Sequence, residues 1–197
     1  MRIIAGTKRG MKLLSPKGMD TRPVTDRVKE SIFDIMQKWH LPAEAMVADL
    51  FSGTGSMGLE ALSRGARFVT FIDRSREVIG LLERNIEKAG FVRDSKTICH
   101  NIFPIGAPVD DEMYDLVFVD PPYAMSQNSD IGSRVYALMK LIDLQVKEDA
   151  IVILRTDEHA LVLELYGLLE QIDLRQWGSM KVMFYQKKTK QQILENL

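Results

Sequence analysis

Two periodicities run along the chain. Runs rich in β-branched and aromatic residues predict strands at Arg2–Ala5, Met11–Ser15, Val47–Phe51, Phe68–Ile72, Thr97–Cys99, Leu116–Val119, Ala150–Leu154, Ile172–Trp177 and Lys181–Gln186. Gly6 and Gly10 make the first two strands a hairpin with a basic loop, and Gly178 makes the last two another. Elsewhere apolar residues recur at helical spacing. Val28, Ile32, Ile35 and Trp39 follow an N-capping Thr25, and Leu41-Pro42 ends that helix. Ser56–Arg64 is a short helix closed by Gly65, and Val78, Leu82, Ile86 and Ala89 lie between a capping Ser75 and Gly90. Val135, Leu138, Met139 and Ile142 form another helical face, and a last helix is predicted around His159–Leu168.

Strands that alternate with helices predict an α/β fold, a mostly parallel sheet with helices on both faces. The apolar strands fit burial from both sides, and the terminal hairpin adds an antiparallel edge. Pro16, Gly18 and Pro23 punctuate a loop. The one boundary suggested by the pattern lies near Pro42, between residues 1–42 and 43–197.

Composition narrows the class. The 197 residues, 46% hydrophobic and 27% charged, suit one globular domain with at most a small appendage. A single cysteine, Cys99, excludes an intrachain disulfide framework, and Cys99 reads as a small buried apolar residue. His40, His100 and His159 lack metal-ligand spacing, so no metal is expected. Apolar runs fall short of the roughly 18 residues a membrane helix needs, and no apolar signal segment follows the basic N-terminus. The expectation is a soluble, monomeric, cytoplasmic protein without a membrane partner. Net charge is −1, but residues 1–30 carry eight basic and three acidic groups, +5, leaving −6 for the rest. That basic end reads either as a polyanion-facing arm or as a solvated edge that discourages aggregation.

Candidate chemistry begins at Asp49-Leu-Phe-Ser-Gly-Thr-Gly-Ser-Met-Gly58. Gly53, Gly55 and Gly58 follow a strand and open a helix, as a nucleotide-binding loop requires, and Asp73 at the end of the next strand suits ribose hydroxyls. A dinucleotide would place pyrophosphate here, where the Asp49 carboxylate is unhelpful to a second anion. An ammonium group would be welcome, which tilts the choice toward S-adenosylmethionine. Asp49 read structurally would instead bond the amides of its own loop.

The second site is Asp120-Pro121-Pro122-Tyr123, directly after the Leu116–Val119 strand. Two prolines turn the chain out at a carboxyl end, where open α/β sheets bind ligands. An exocyclic amine is a poor nucleophile, because its lone pair is delocalised into the ring. Two acceptors on its N–H groups localise that pair, and Asp120 and the Pro121 carbonyl supply them. Tyr123 supplies a ring to stack on the base, worth roughly 1–3 kcal/mol. Read structurally, the same residues are a stiff loop with a capping Asp.

These residues resemble the class I S-adenosylmethionine-dependent methyltransferases. Arg2-Ile-Ile-Ala-Gly, Arg9-Gly, Thr21-Arg-Pro-Val-Thr-Asp-Arg-Val-Lys-Glu-Ser-Ile-Phe and Gly58-Leu-Glu-Ala-Leu-Ser-Arg-Gly-Ala narrow the resemblance to the bacterial 16S rRNA guanine-N2 methyltransferase family. It implies a Rossmann-like fold with a seven-stranded sheet, its last strand antiparallel, and a small N-terminal β-hairpin arm. It implies a methyl transfer to N2 of one guanine in naked 16S rRNA or an assembling small subunit. Catalytic roles fall to Asp120, Pro121, Pro122 and Tyr123, and cofactor binding to Asp49, Phe51, Ser52, Gly53, Gly55, Asp73, Arg74, Asn101 and Ile102. Asn101 stands where such enzymes often carry an Asp that reads adenine. Arg9, Lys12 and Arg27 read as phosphate contacts, and Arg22 with Thr25 lies near the cofactor or the target. Residues 1–42 then form the RNA-facing extension, and 43–197 the cofactor-binding domain.

Other readings stay in view. Asp-Pro-Pro-Tyr is shared with adenine-N6 methyltransferases of RNA or DNA. A nicotinamide-dependent oxidoreductase would use the glycine loop and Asp73 but not Asp-Pro-Pro-Tyr, and a non-enzymatic RNA-binding protein would use only the basic arm.

Overall fold

A computed structural model describes residues 1–16, 25–127, 130–189 and 191–192. The chain divides into two compact units, Met1–His100 and Asn101–Leu197.

In the first unit α1 (Asp26–Met36) precedes β1 (Met46–Leu50), α2 (Ser56–Ser63), β2 (Phe68–Asp73), α3 (Arg76–Ala89) and β3 (Ser95–Cys99). The strands are parallel, β1 pairing with β2 from Met46↔Phe68 to Leu50↔Ile72, and β2 with β3 from Val69↔Ser95 to Asp73↔Cys99. Thr25 and Ser75 cap α1 and α3, accepting bonds from Val28 N and Val78 N at 3.4 Å each. Val78, Leu82, Ile86 and Ala89 form the buried stripe of α3, and Gly90 at φ 76° ends it. On α1 the buried face is Val28, Lys29, Ile32, Phe33 and Met36, whereas Ile35 and Trp39 are half-buried. The face is turned from the expected stripe because Lys29 goes inward to an acidic partner.

The second unit runs β4 (Tyr114–Val119), α4 (Tyr123–Ser126), α5 (Arg134–Asp143), β5 (Val146–Asp157), β6 (Leu165–Tyr166), β7 (Leu169–Trp177) and β8 (Met180–Lys187). β4 and β5 are parallel, β5 and β8 antiparallel, β8 and β7 a hairpin, and β6 pairs antiparallel to β7. The core includes Leu116–Val119, Ile151–Leu154 and Val182–Tyr185. Tyr185 and Phe184 are fully buried there.

Four expectations are corrected. The described residues hold eight named strands rather than seven, the extra one being the two-residue β6. β6 lies where a helix was expected around His159–Leu168. That segment instead turns at Gly167 (φ 69°), and its backbone bonds side chains: Leu163 N donates to Tyr166 Oη at 3.1 Å, and Leu168 N to Asp143 Oδ2 at 3.2 Å. The N-terminal segments meet through one bridge, Arg2↔Lys12, and bonds such as Ile3 N to Met11 O (2.9 Å), not as two full strands. The donors at Ile4, Ala5 and Lys8 go to α2 side chains instead. Cys99 is exposed, because the edge strand β3 is covered less than its neighbours.

Candidate active site

The loop after β1 is bent by residues with left-handed backbone: Phe51 at φ 60°, Gly53 at 55° and Gly55 at 85°. A bulky side chain at positive φ costs about 1–3 kcal/mol, and such strain concentrates at binding sites. An added Cβ on Gly53 meets nothing nearer than 4.0 Å, so the loop is open there to close approach. Gly58 answers a different need. Its backbone is ordinary, but a Cβ would stand 2.2 Å from Phe71 Cε1 and 2.9 Å from Val69 Cγ1, so the missing side chain lets α2 lie against β2. Gly58→Ala is therefore expected to cost about 1–3 kcal/mol through overpacking, read as a lowered Tm. An unchanged Tm would show that the contact relaxes without cost.

Carboxylates tie this loop together. Asp49, 2% exposed, accepts from Gly58 N at 2.8 Å, which fixes the start of α2. Asp73 accepts from Gly53 N at 3.0 Å through Oδ2 and from Ser75 N at 2.9 Å through Oδ1. A carboxylate has about four lone-pair sites, so these bonds leave Asp73 capacity for ribose hydroxyls. The Ser52 Oγ and Thr54 Oγ1 hydroxyls are buried and carry no hydrogen bond among the described residues. Buried hydroxyls of that kind normally have a partner, so a polar ligand at this loop suits them. Arg74 is exposed, with its carbonyl facing Cys99 Sγ at 3.8 Å.

In the second unit Asn101 is exposed and its Oδ1 accepts from Phe103 N at 3.3 Å, while Ile102 is 2% exposed. Asp120 directly follows β4. Pro121 is buried, Pro122 caps α4 and its carbonyl accepts from Met125 N at 2.8 Å, and Tyr123 opens that helix. The side chain of Tyr123 lies outside the described residues. Asp120 Oδ1 accepts from Arg155 Nε on β5. Burial pushes the Asp120 carboxyl above the ordinary aspartate value of 3.8, and the Arg155 guanidinium pulls it back down.

The basic residues stand on the first unit. Arg9, Lys12 and Arg27 are exposed, and Arg22 lies outside the described residues. The segment that carries Arg9 and Lys12 is anchored from beneath. Glu60, fully buried on α2, accepts from Ile4 N (2.8 Å), Ala5 N (3.0 Å) and Arg64 Nε (2.9 Å), and faces Lys29 Nζ at 3.4 Å. Lys29 also donates to Arg2 O at 2.7 Å. Burial lowers the Lys29 pKa and Glu60 raises it. Asn85 of α3 exchanges two bonds with the Leu14 backbone (2.8 and 3.1 Å) and donates to Thr54 O of the glycine loop at 3.1 Å.

A family model described as "Conserved hypothetical protein 95" matches residues 1–186. The chain belongs to this family. The "Putative rRNA methyltransferase YlbH" of Bacillus subtilis is 30% identical over 197 residues, spanning 95% of this chain and 100% of that protein. The "Ribosomal RNA small subunit methyltransferase D" of Escherichia coli K12 is 39% identical over 128 residues, a match that spans 62% of this chain but only 60% of that protein. The solved structure titled "Putative methyltransferase yhhF from Escherichia coli" shares the fold with a TM-score of 0.79 at 25% identity, covering 96% of this chain and 99% of that one. The fold is the Rossmann-like α/β fold of class I S-adenosylmethionine-dependent methyltransferases.

The structure places Asp49 against Gly58 N, the amide contact of its structural reading, and Asp73 against Gly53 N of the same loop. It joins Asp120 to Arg155, which the sequence pattern did not single out. Lys29, Glu60 and Asn85 were missed as well. Glu60 carried a signal, because it is a lone charge in the apolar run Met57–Leu62. Among the described residues no helix is long and apolar enough to cross a membrane, and no cluster of His, Cys, Asp and Glu is arranged to hold a metal.

Proposed function

We infer that this protein transfers a methyl group from S-adenosylmethionine to the exocyclic N2 amine of one guanine in 16S ribosomal RNA. The observation that carries the reading is Asp120, at the carboxyl end of β4 before two prolines, with one carboxylate oxygen held by Arg155. The names of the two relatives support ribosomal RNA as the substrate, and that of the Escherichia coli protein supports the small subunit. The N-terminal signature supports guanine N2 over adenine N6.

When bound, S-adenosylmethionine supplies a methyl group on a sulfonium that becomes neutral as the methyl leaves. Asp49, Phe51, Ser52, Gly53, Gly55, Asp73, Arg74, Asn101 and Ile102 would hold it, with Asp73 placed to accept from the ribose hydroxyls. Asp120 and the Pro121 carbonyl accept the two N–H bonds of the target amine, which localises its lone pair on nitrogen; as the N–CH3 bond forms and the CH3–S bond breaks, the proton that the nitrogen sheds passes to the Asp120 carboxylate and on to water. Pro122 stiffens the turn and Tyr123 stacks on the base. Most of the acceleration is positioning, the conversion of a bimolecular encounter into an aligned one. Residues 1–42 present the RNA-facing surface and 43–197 carry the chemistry. The protein works as a monomer in the cytoplasm, on naked RNA or an assembling particle.

Label transfer tests the reading. Methyl-tritiated S-adenosylmethionine is expected to label small-subunit rRNA in the presence of this protein, and label that stays out of RNA would overturn it. The arm makes a separate prediction. Neutralising Arg9 and Lys12 together is expected to weaken RNA binding and reduce the log–log salt slope by about 2, one per lost phosphate contact. A slope that does not move would mean that the arm leaves phosphate untouched.

A further inference from the structure

Arg155 of β5 touches Asp120 and takes no other part in the proposed chemistry. Its placement is closely determined. β4 and β5 are in parallel register with Val119 opposite Leu154, so the next pair along is Asp120 and Arg155. On its other side Arg155 is paired with Val182 of β8, so its backbone is fixed by a ladder rather than by a loop. The side chains are 15% and 24% exposed, for Arg155 and Asp120 respectively. A half-buried carboxylate beside two prolines loses much of its hydration, which favours the protonated form. A protonated Asp120 would offer an O–H where the target amine needs an acceptor. A buried ion pair is weak support for stability, because desolvation offsets most of its attraction. The pair therefore asks for another explanation.

We propose that Arg155 is a positioning residue for methyl transfer: it clamps Oδ1 of Asp120 and fixes that side chain in one orientation, so that Oδ2 serves as acceptor for the target N–H. The proposal rests on the reading of Asp120 as the amine acceptor. Arg155 Nε donates directly to Asp120 Oδ1, so a change in the charge at position 155 is read at the Asp120 carboxylate. A guanidinium suits this task better than an ammonium, since its planar fork is pre-organised and stays charged at any pH of interest.

The test measures kcat and KM across pH for the wild type, Arg155→Gln and Arg155→Lys, with Asp120→Ala in parallel. Arg155→Gln keeps a donor of similar reach but removes the charge. Its kcat at neutral pH is expected to fall about tenfold, its KM for S-adenosylmethionine to stay within about twofold, and its acid limb to move up by about one pH unit. Arg155→Lys is expected to return the limb most of the way toward wild type. A purely structural Arg155 would lower Tm and leave the limb where it is, and wild-type kcat with an unmoved limb in Arg155→Gln overturns the proposal. The parallel arm separates the two levels. If Asp120→Ala is as active as wild type, the reading of Asp120 itself fails. If Asp120→Ala is inactive and Arg155→Gln is indistinguishable from wild type, only the role of Arg155 fails.

Discussion

Replacing Asp120 by alanine is expected to slow methyl transfer by roughly ten- to hundred-fold at least, because it removes a charge-assisted hydrogen bond worth about 1.5–3 kcal/mol. The loss belongs in kcat rather than in KM for S-adenosylmethionine, since the residues proposed to hold the cofactor are others. The wild-type pH profile carries the same signature. Asp120 accepts only as a carboxylate, and burial raises its pKa above the ordinary aspartate value of 3.8. Activity is therefore expected to fall on acidification through a limb above 3.8. Steady-state methyl transfer from pH 4.5 to 8 measures both effects. Turnover at the wild-type rate in Asp120→Ala would remove Asp120 from the chemistry.

Glu60→Ala is expected to cost about 3–5 kcal/mol of stability, the usual consequence of removing one member of a buried ion pair. Lys29, 1% exposed, would lose the carboxylate that offsets its burial and keep backbone and hydroxyl acceptors. Ile4 N and Ala5 N would lose their acceptors too, each a further desolvation cost. Denaturant unfolding gives the total, and amide exchange at Ile4 and Ala5 shows whether the N-terminal segment lets go first. The double variant Lys29→Met with Glu60→Leu is expected to recover part of the loss, because an apolar pair replaces the ion pair but leaves the two amides unserved. A single variant as stable as wild type would mean that the network contributes nothing.

Much of this fold is legible in the sequence because its strands and helices obey their periods. The glycine spacing after the predicted strand Val47–Phe51, the caps Thr25 and Ser75 and the Pro-Pro turn after Val119 are local signals, and local backbone geometry fulfils them. Failures have a common cause, since they depend on partners distant in sequence. Lys29 and Glu60 lie 31 residues apart, and only the fold brings them within 3.4 Å. Arg155 sits just past the predicted end of an apolar strand that runs on to Asp157, and only the register of β4 with β5 reveals its partner. A helix was expected around His159–Leu168, but Leu161 and Leu165 are exposed and Tyr166 is the buried anchor of that turn.

The central claim is a methyl group placed on N2 of a guanine through Asp120. Nucleoside mass spectrometry of 16S rRNA, from cells with and without this protein, tests it most directly. N2-methylguanosine at one position should disappear with the protein, return with the wild type and stay absent with Asp120→Ala. An unchanged N2-methylguanosine content, or a loss confined to N6-methyladenosine, would contradict the account.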